Sequence, residues 1–253
     1  MSKILELKDI SVHFGGLHAL SSFSLDVDAG ESVGLIGPNG AGKSTALRAM
    51  SGELKLANGQ IRFAGLEVTH WPAHRRAQAG MARTFQVLEL FSDLSVEDHL
   101  LVALRAREQR HEVLRDLSGR SGPTPEEAAA MDRTLKLVGL SRWRSEPVGR
   151  LPLGICRLVE LARAVVTGPS LLLADEPSSG LDDHEVAEAM EVLRRIRAEN
   201  GTAMILVEHN LEFIEAMCTT VVVMDLGKLL AEGSFAEISA NQAVRTAYFG
   251  ANA

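Results

Sequence analysis

The sequence predicts an α/β fold with a largely parallel core sheet, an N-terminal antiparallel β-subdomain and an inserted α-helical subdomain. Short apolar runs separated by turn residues fill 3–36. Helix and strand patterns alternate over 185–224, as in a parallel sheet with crossover helices. Between these regions, about 94–140 is rich in Arg, Glu, Ala and Leu at helical spacing.

Taken in chain order, Ile4–Leu7, Val12–Phe14, Ser24–Val27 and Ser32–Ile36 read as strands, divided by Gly15-Gly16 and Asp28-Ala29-Gly30. The last strand runs straight into a glycine-rich loop. A helix is expected over Ser44–Met50, ended by Ser51-Gly52. Asn58-Gly59 reads as a hairpin turn with a strand on either side. In the helical stretch Leu100, Leu101 and Leu104, then Met131, Leu135 and Val138, recur at helical spacing, and a polar run at 118–125 interrupts it. Helix 185–199, strand 203–207, helix 210–217 and strand 220–224 follow. The expected organisation is a nucleotide-binding core over 1–86 and 164–253, split by a helical subdomain over 87–163.

A length of 253 residues suits one large α/β domain, or a core with a smaller subdomain. The net charge of −7 argues against coating a nucleic acid, whose phosphates attract basic surfaces, so no direct nucleic-acid partner is expected. Cys156 and Cys218 are too few for a disulfide framework and lack metal-ligand spacing, as in a cytosolic protein with reduced thiols. No run approaches the ~18–20 apolar residues that span a bilayer. Leu171–Ala174 and Val221–Met224 fit buried strands instead. The N-terminus lacks the apolar run of a signal peptide. Work at a membrane would go through a partner chain.

The chemistry begins at Gly37-Pro38-Asn39-Gly40-Ala41-Gly42-Lys43-Ser44, which fits G-x-x-x-x-G-K-[ST] and predicts a P-loop NTPase core. Gly37, Gly40 and Gly42 let the backbone curl so that successive N–H groups point at phosphate oxygens. The loop ends at a helix N-terminus, whose dipole favours anions. Lys43 neutralises β- and γ-phosphate charge, the Ser44 hydroxyl can ligate Mg²⁺, and Pro38, Asn39, Ala41 and Thr45 complete the nucleotide-binding set. A strand before the loop and a helix after it supply the context this pattern requires.

Leu171-Leu-Leu-Ala-Asp175-Glu176 is an apolar run ending in two carboxylates, as in a buried parallel strand. Its C-terminal end is where α/β sheets place ligands. Asp175 is expected to hold Mg²⁺ directly or through water. Glu176 is expected to orient or deprotonate the water that attacks ATP.

With these residues in hand, the chain resembles an ABC-transporter ATP-binding subunit. The phosphate loop reads GPNGAGKST, and LLLADEPSSGLD over 171–182 matches the family's acidic strand and following loop. The resemblance covers roughly residues 3–250, with the motifs in order. It implies that Gln86, in ARTFQ, sits between core and helical subdomain and reaches the Mg²⁺. It implies that His209, in MILVEHN, contacts the γ-phosphate, and that Phe14, in HFGG, stacks on adenine. HFGGLHAL, ARTFQ with Phe91 soon after, VEHN and the closing AVRTAYFG are similar to ATPase subunits of branched-chain amino acid importers. ATPases of lipopolysaccharide exporters and urea importers share much of this pattern, and non-transport ABC ATPases are a further alternative.

One stretch departs from the family. Where Leu-Ser-Gly-Gly-Gln is usual, this chain has Leu151-Pro152-Leu153-Gly154-Ile155. In the family this signature closes over the nucleotide held by a second subunit. Gly154 survives as the expected contact, but Pro152 offers neither hydroxyl nor N–H, and Ile155 is apolar. Two readings stand side by side: a heterodimer with unequal sites, or a subfamily that tolerates variation here. The resemblance further implies a second ATPase subunit, homo- or heteromeric, integral membrane permease subunits and an extracytoplasmic substrate-binding protein. It places the chain in the cytoplasm, peripheral at the inner face of the cell membrane.

Overall fold

The computed structural model describes residues 2–107 and 122–249. Residues 118–121 of the expected polar run, together with His111, lie outside the described residues.

Two sheets make up the fold. The first is antiparallel, in the order β2-β1-β4-β5. Its arms β1 (Lys3–Phe14) and β2 (Leu17–Asp28) are each one continuous strand where the sequence predicts shorter pieces. The polar breaks that read as strand ends are bulges: the register shifts between Leu7 and Ile10, and Asp9 and Ser22 have φ of 48° and 49°.

Asn58-Gly59 is not a hairpin turn. It opens β4 (Asn58–Phe63), and Asn58 lies opposite Ser11 of β1. The turn falls at Ala64-Gly65, whose φ of 49° and 77° fit a two-residue hairpin into β5 (Leu66–Glu67). Gly59 answers a different demand: at φ 96°, a Cβ there would lie 2.5 Å from Asp9 O, across the bulge in β1.

The second sheet has the order β10-β9-β3-β8-β7-β6. Here β3 is Ser32–Ile36, β6 Met81–Arg83, β7 Leu171–Asp175, β8 Ala203–Val207, β9 Thr220–Asp225 and β10 Lys228–Gly233. All neighbours are parallel except β9 and β10. The two edge strands escape a sequence reading for different reasons. β6 is three residues long, and β10 buries none of its side chains fully.

Strands β3, β7 and β8 are buried along their whole length. Successive side chains face opposite ways, so both faces of the sheet are apolar. Leu171, Leu173 and Ile205 join the core of the antiparallel sheet and α1 (Lys43–Met50). Leu172, Ala174, Met204 and Leu206 join the core of the helical region. That core holds Val96 and Leu100 of α3 (Val96–Arg107), Met131 and Leu135 of α4 (Pro125–Leu137), and Val159 and Ala162 of α5 (Leu153–Val165). Helix α5 passes 163/164 without a break, so the subdomain boundary expected there falls inside a helix.

The end of α1 is fixed by Arg76 of α2 (Ala73–Gln78). Its guanidinium donates to Ala49 O (2.8 Å), Met50 O (2.6 Å), Thr69 O (3.0 Å) and Trp71 O (3.1 Å). Burial pushes its pKa down to about 10, so it stays charged at neutral pH. It thereby satisfies carbonyls that a helix C-terminus leaves open. After β7 come α6 (Asp183–Asn200) and α7 (Leu211–Met217); α6 starts on a capping box of Asp182 and Glu185. Helices α8 (Phe235–Ala240) and α9 (Gln242–Phe249) follow β10. Among the described residues no helix is long and apolar enough to cross a membrane.

Candidate functional site

Because β3, β7 and β8 run parallel and in register, Leu35 and Asp175 both lie beside Val207. The loops that leave these strands therefore emerge at one edge of the sheet: Gly37–Gly42, Glu176 and Glu208-His209. Gly37 has φ 153°, and a Cβ on it would lie 2.2 Å from Met224 O. Gly42 at φ 102° caps α1, and a Cβ there would lie 2.8 Å from Ala19 O. Neither position accepts a side chain. Lys43 Nζ donates to Gly37 O (2.7 Å) and Pro38 O (3.2 Å). Burial lowers the Lys43 pKa, and the Glu176 and Asp175 carboxylates oppose that shift.

Asp175 ends β7 beside this loop. Its Oδ1 accepts from Ser44 Oγ at 3.5 Å and its Oδ2 from Arg83 Nη2 at 3.1 Å. Burial pushes the Asp175 carboxyl up, and the Arg83 charge pulls it back. Arg83 also donates to Glu53 Oε1 at 2.5 Å. Glu176 follows at φ 51°, a left-handed conformation that is costly for a glutamate. Its N–H donates to Val207 O at 2.9 Å. Its carboxylate lies between two predicted residues: Gln86 Nε2 donates to Oε2 at 3.1 Å, and His209 Nε2 is 3.2 Å from Oε1. Glu208, buried, accepts from Ser178 N–H at 2.7 Å and holds the loop after Glu176.

Phe14, Asn39, Gly40, Ala41, Gly42, Lys43, Ser44, Thr45, Gln86, Glu176 and His209 line one cleft of about 470 Å³. Gly37 and Pro38 do not line it; their carbonyls accept from Lys43. Asp175 reaches it through Ser44. Gly154 lies elsewhere, buried in the first turn of α5. A Cβ on it would come 2.3 Å from Glu185 Oε1, so the glycine permits α5 to pack on α6. Pro152 is the N-cap of α5 and makes no side-chain cap bond; its carbonyl accepts from Cys156 N–H at 3.0 Å. Ile155 packs against the helical core.

Ser44, Asp175 and Gln86 offer hard oxygen donors, as Mg²⁺ requires; among the described residues no three His, Cys, Asp or Glu side chains gather into a site that would hold a cation by themselves. A cation here would complete its coordination with phosphate and water. Several participants carry no signal in the sequence. Leu17, His18 and Ala19 from the start of β2, and Leu226 and Gly227 from the distant turn between β9 and β10, also line the cleft. Arg83 sits on a strand too short to read. Arg157 Nη2 donates to Gln86 O (2.9 Å) and Nη1 to Phe85 O (3.3 Å), while Glu160 Oε1 accepts from Phe85 N–H (3.0 Å). Helix α5 therefore holds the segment that carries Gln86.

Residues 20–179 match the family model described as ABC transporter. The chain belongs to the ABC transporter ATP-binding proteins. It is an ATPase that acts on ATP with Mg²⁺. Residues 228–253 of this ABC ATPase match a second model, described as branched-chain amino acid ATP-binding cassette transporter. The chain is 34% identical to the high-affinity branched-chain amino acid transport ATP-binding protein BraF of Pseudomonas aeruginosa, over 98% of each chain. It is 32% identical to the corresponding Escherichia coli protein LivG, again over 98% of each. Among solved structures, the ADP conformation of MJ1267, an ATP-binding cassette of an ABC transporter, superposes with TM-score 0.85 at 26% identity. That match covers 99% of this chain and 100% of the other.

Proposed function

We propose that this ABC ATPase powers a branched-chain amino acid importer. The observation that carries the catalytic part is the Glu176 carboxylate bracketed by Gln86 and His209 at the mouth of the phosphate-loop cleft. The substrate class rests on the match of residues 228–253 and on the full-length relatives.

In this reading the loop amides and Lys43 hold the β- and γ-phosphates, and Phe14 stacks on adenine. Ser44, Asp175 and Gln86 hold Mg²⁺, which supplies charge neutralisation on the phosphate oxygens. Glu176 accepts the proton of a water whose oxygen forms the new P–O bond as the bond to the ADP oxygen breaks. Gln86 and His209 fix both carboxylate oxygens, so one lone pair faces the water. Gly154 and the N-terminus of α5 serve the nucleotide of a second ATPase subunit. Residues 1–86 and 164–253 act as the nucleotide-binding core, and 87–163 as the helical subdomain. Two such chains close on ATP and reopen after hydrolysis, because the contacts of each subunit with the γ-phosphate held by the other exist only in the closed pair. Val87–Leu94 presents exposed Val87 and Phe91 to membrane permease subunits, which set the chain at the inner face of the cell membrane. An extracytoplasmic binding protein selects the solute.

The test is reconstitution with the permeases and binding protein that co-purify from detergent extracts. Leucine, isoleucine or valine on the binding protein should stimulate hydrolysis. A bridge-protein complex in place of a binding protein would indicate an exporter and overturn the assignment.

Pro152 and Ile155 favour a second element: a heterodimer with unequal sites, in which this chain supplies a competent phosphate loop and a weakened signature. Full hydrolysis by the isolated homodimer would refute that.

A further inference from the structure

The turn between β9 and β10 sets sequence against conformation. Leu226 has φ 45°, a left-handed geometry that suits Gly, Asn or Asp and penalises a bulky side chain. Its side chain is 78% exposed and lines the nucleotide cleft, together with Phe14 (46% exposed) and Leu17 (66% exposed). A large apolar group held in a costly backbone conformation and left in water is unfavourable on both counts.

The turn cannot relax away from this arrangement. Gly227 N–H donates to Ala41 O and Gly227 O accepts from Ser21 N–H, both at 2.9 Å. A Cβ at Gly227 would lie 2.6 Å from Ala19 O. The turn is wedged between the phosphate loop and β2, so Leu226 stands at a fixed place relative to the bound phosphates.

We propose that Leu226 is a base-binding residue: with Phe14 and Leu17 it forms a three-sided apolar clamp on the purine ring of the bound nucleoside triphosphate. The clamp rests on the reading of this cleft as the ATP site. Covering Leu226 with the ring removes apolar surface from water, which offsets what its exposure costs. None of the three side chains carries a hydrogen-bonding group, so the clamp senses ring area rather than the base edge. A fused purine fills it better than a single pyrimidine ring.

The experiment titrates ATP and tripolyphosphate into the full chain by calorimetry, with magnesium chelated. Leu226→Gly and Leu226→Asn both suit the left-handed turn. Each should weaken ATP about fivefold, equivalent to about 1 kcal/mol, and leave tripolyphosphate unchanged. Leu226→Met should regain most of the loss. Wild-type ATP affinity in both variants overturns the proposal. Equal weakening of ATP and tripolyphosphate also overturns it, because the turn would then act through the phosphate loop. Lys43→Ala tests the site reading separately: it should weaken both ligands, and unchanged tripolyphosphate binding in that variant would remove the reading on which the clamp rests.

Discussion

The phosphate-loop side of this molecule and the N-terminal end of α5 are built to different standards. On the first side, the polar groups the chemistry needs hold one another. Gln86 and His209 flank Glu176, Arg83 and Ser44 hold Asp175, and Lys43 is tied to its own loop. On the second side, Pro152 starts the helix without a cap bond, Ile155 packs into the core, and Gly154 serves helix packing. Yet the same helix still grips the Gln86 segment through Arg157 and Glu160. One helix can thus keep its mechanical hold on its own site while its N-terminal end, under the reading proposed above, offers few polar groups to a neighbour's site.

Breaking the intact side gives the largest effect. Glu176→Gln keeps the shape and removes the proton acceptor, so phosphate release should fall by about 10²–10⁴-fold. ATP binding, followed by filter retention, should survive. Next, Arg76→Met removes the guanidinium donor from Met50 O and leaves Ala49 O with only the long bond from Gly52 N–H at 3.3 Å. It should cost about 3 kcal/mol, read as a shift of the urea midpoint, because each orphaned buried group costs on the order of 1–3 kcal/mol. Arg157→Met should free the Phe85 and Gln86 carbonyls and loosen the segment, raising its amide hydrogen exchange while α1 amides stay protected. Turnover should drop by roughly tenfold, less than the ~10²-fold that a full 1 Å misplacement of a positioned group costs. The smallest change sharpens the other side. Pro152→Ser with Ile155→Gln restores the usual polar residues, and homodimer hydrolysis should rise about threefold, on the order of one hydrogen bond of about 0.7 kcal/mol. No rise would favour a subfamily tolerant of variation at these positions.

The legible parts of the sequence were those where one physical demand dominates. A strand buried on both faces, such as Leu171–Asp175, has to be apolar throughout. A phosphate loop needs glycine where no Cβ fits, at Gly37 and Gly42. Gln86, Glu176 and His209 lie in three separate motifs of the sequence, and the structure brings them together. What stayed hidden depends on pairing across distance. Asn58-Gly59 has the composition of a hairpin turn, but its glycine is required by the bulge at Asp9 in another strand. Leu7 and Ile10 stay in one strand because β2 supplies partners through the register shift. Arg83, Arg157 and Leu226 are ordinary residues locally, and only the tertiary fold brings Arg83 to Asp175, Arg157 to Gln86 O and Leu226 to the cleft.

The left-handed backbone at Glu176 has a consequence for heat tolerance. A glycine there would adopt the same φ without the Cβ penalty, which is on the order of 1 kcal/mol. Glu176→Gly should therefore melt a few degrees higher than the natural protein while hydrolysing almost no ATP. At this residue natural selection for durability and for work act in opposite directions. The glutamate that persists is a record of which one has prevailed.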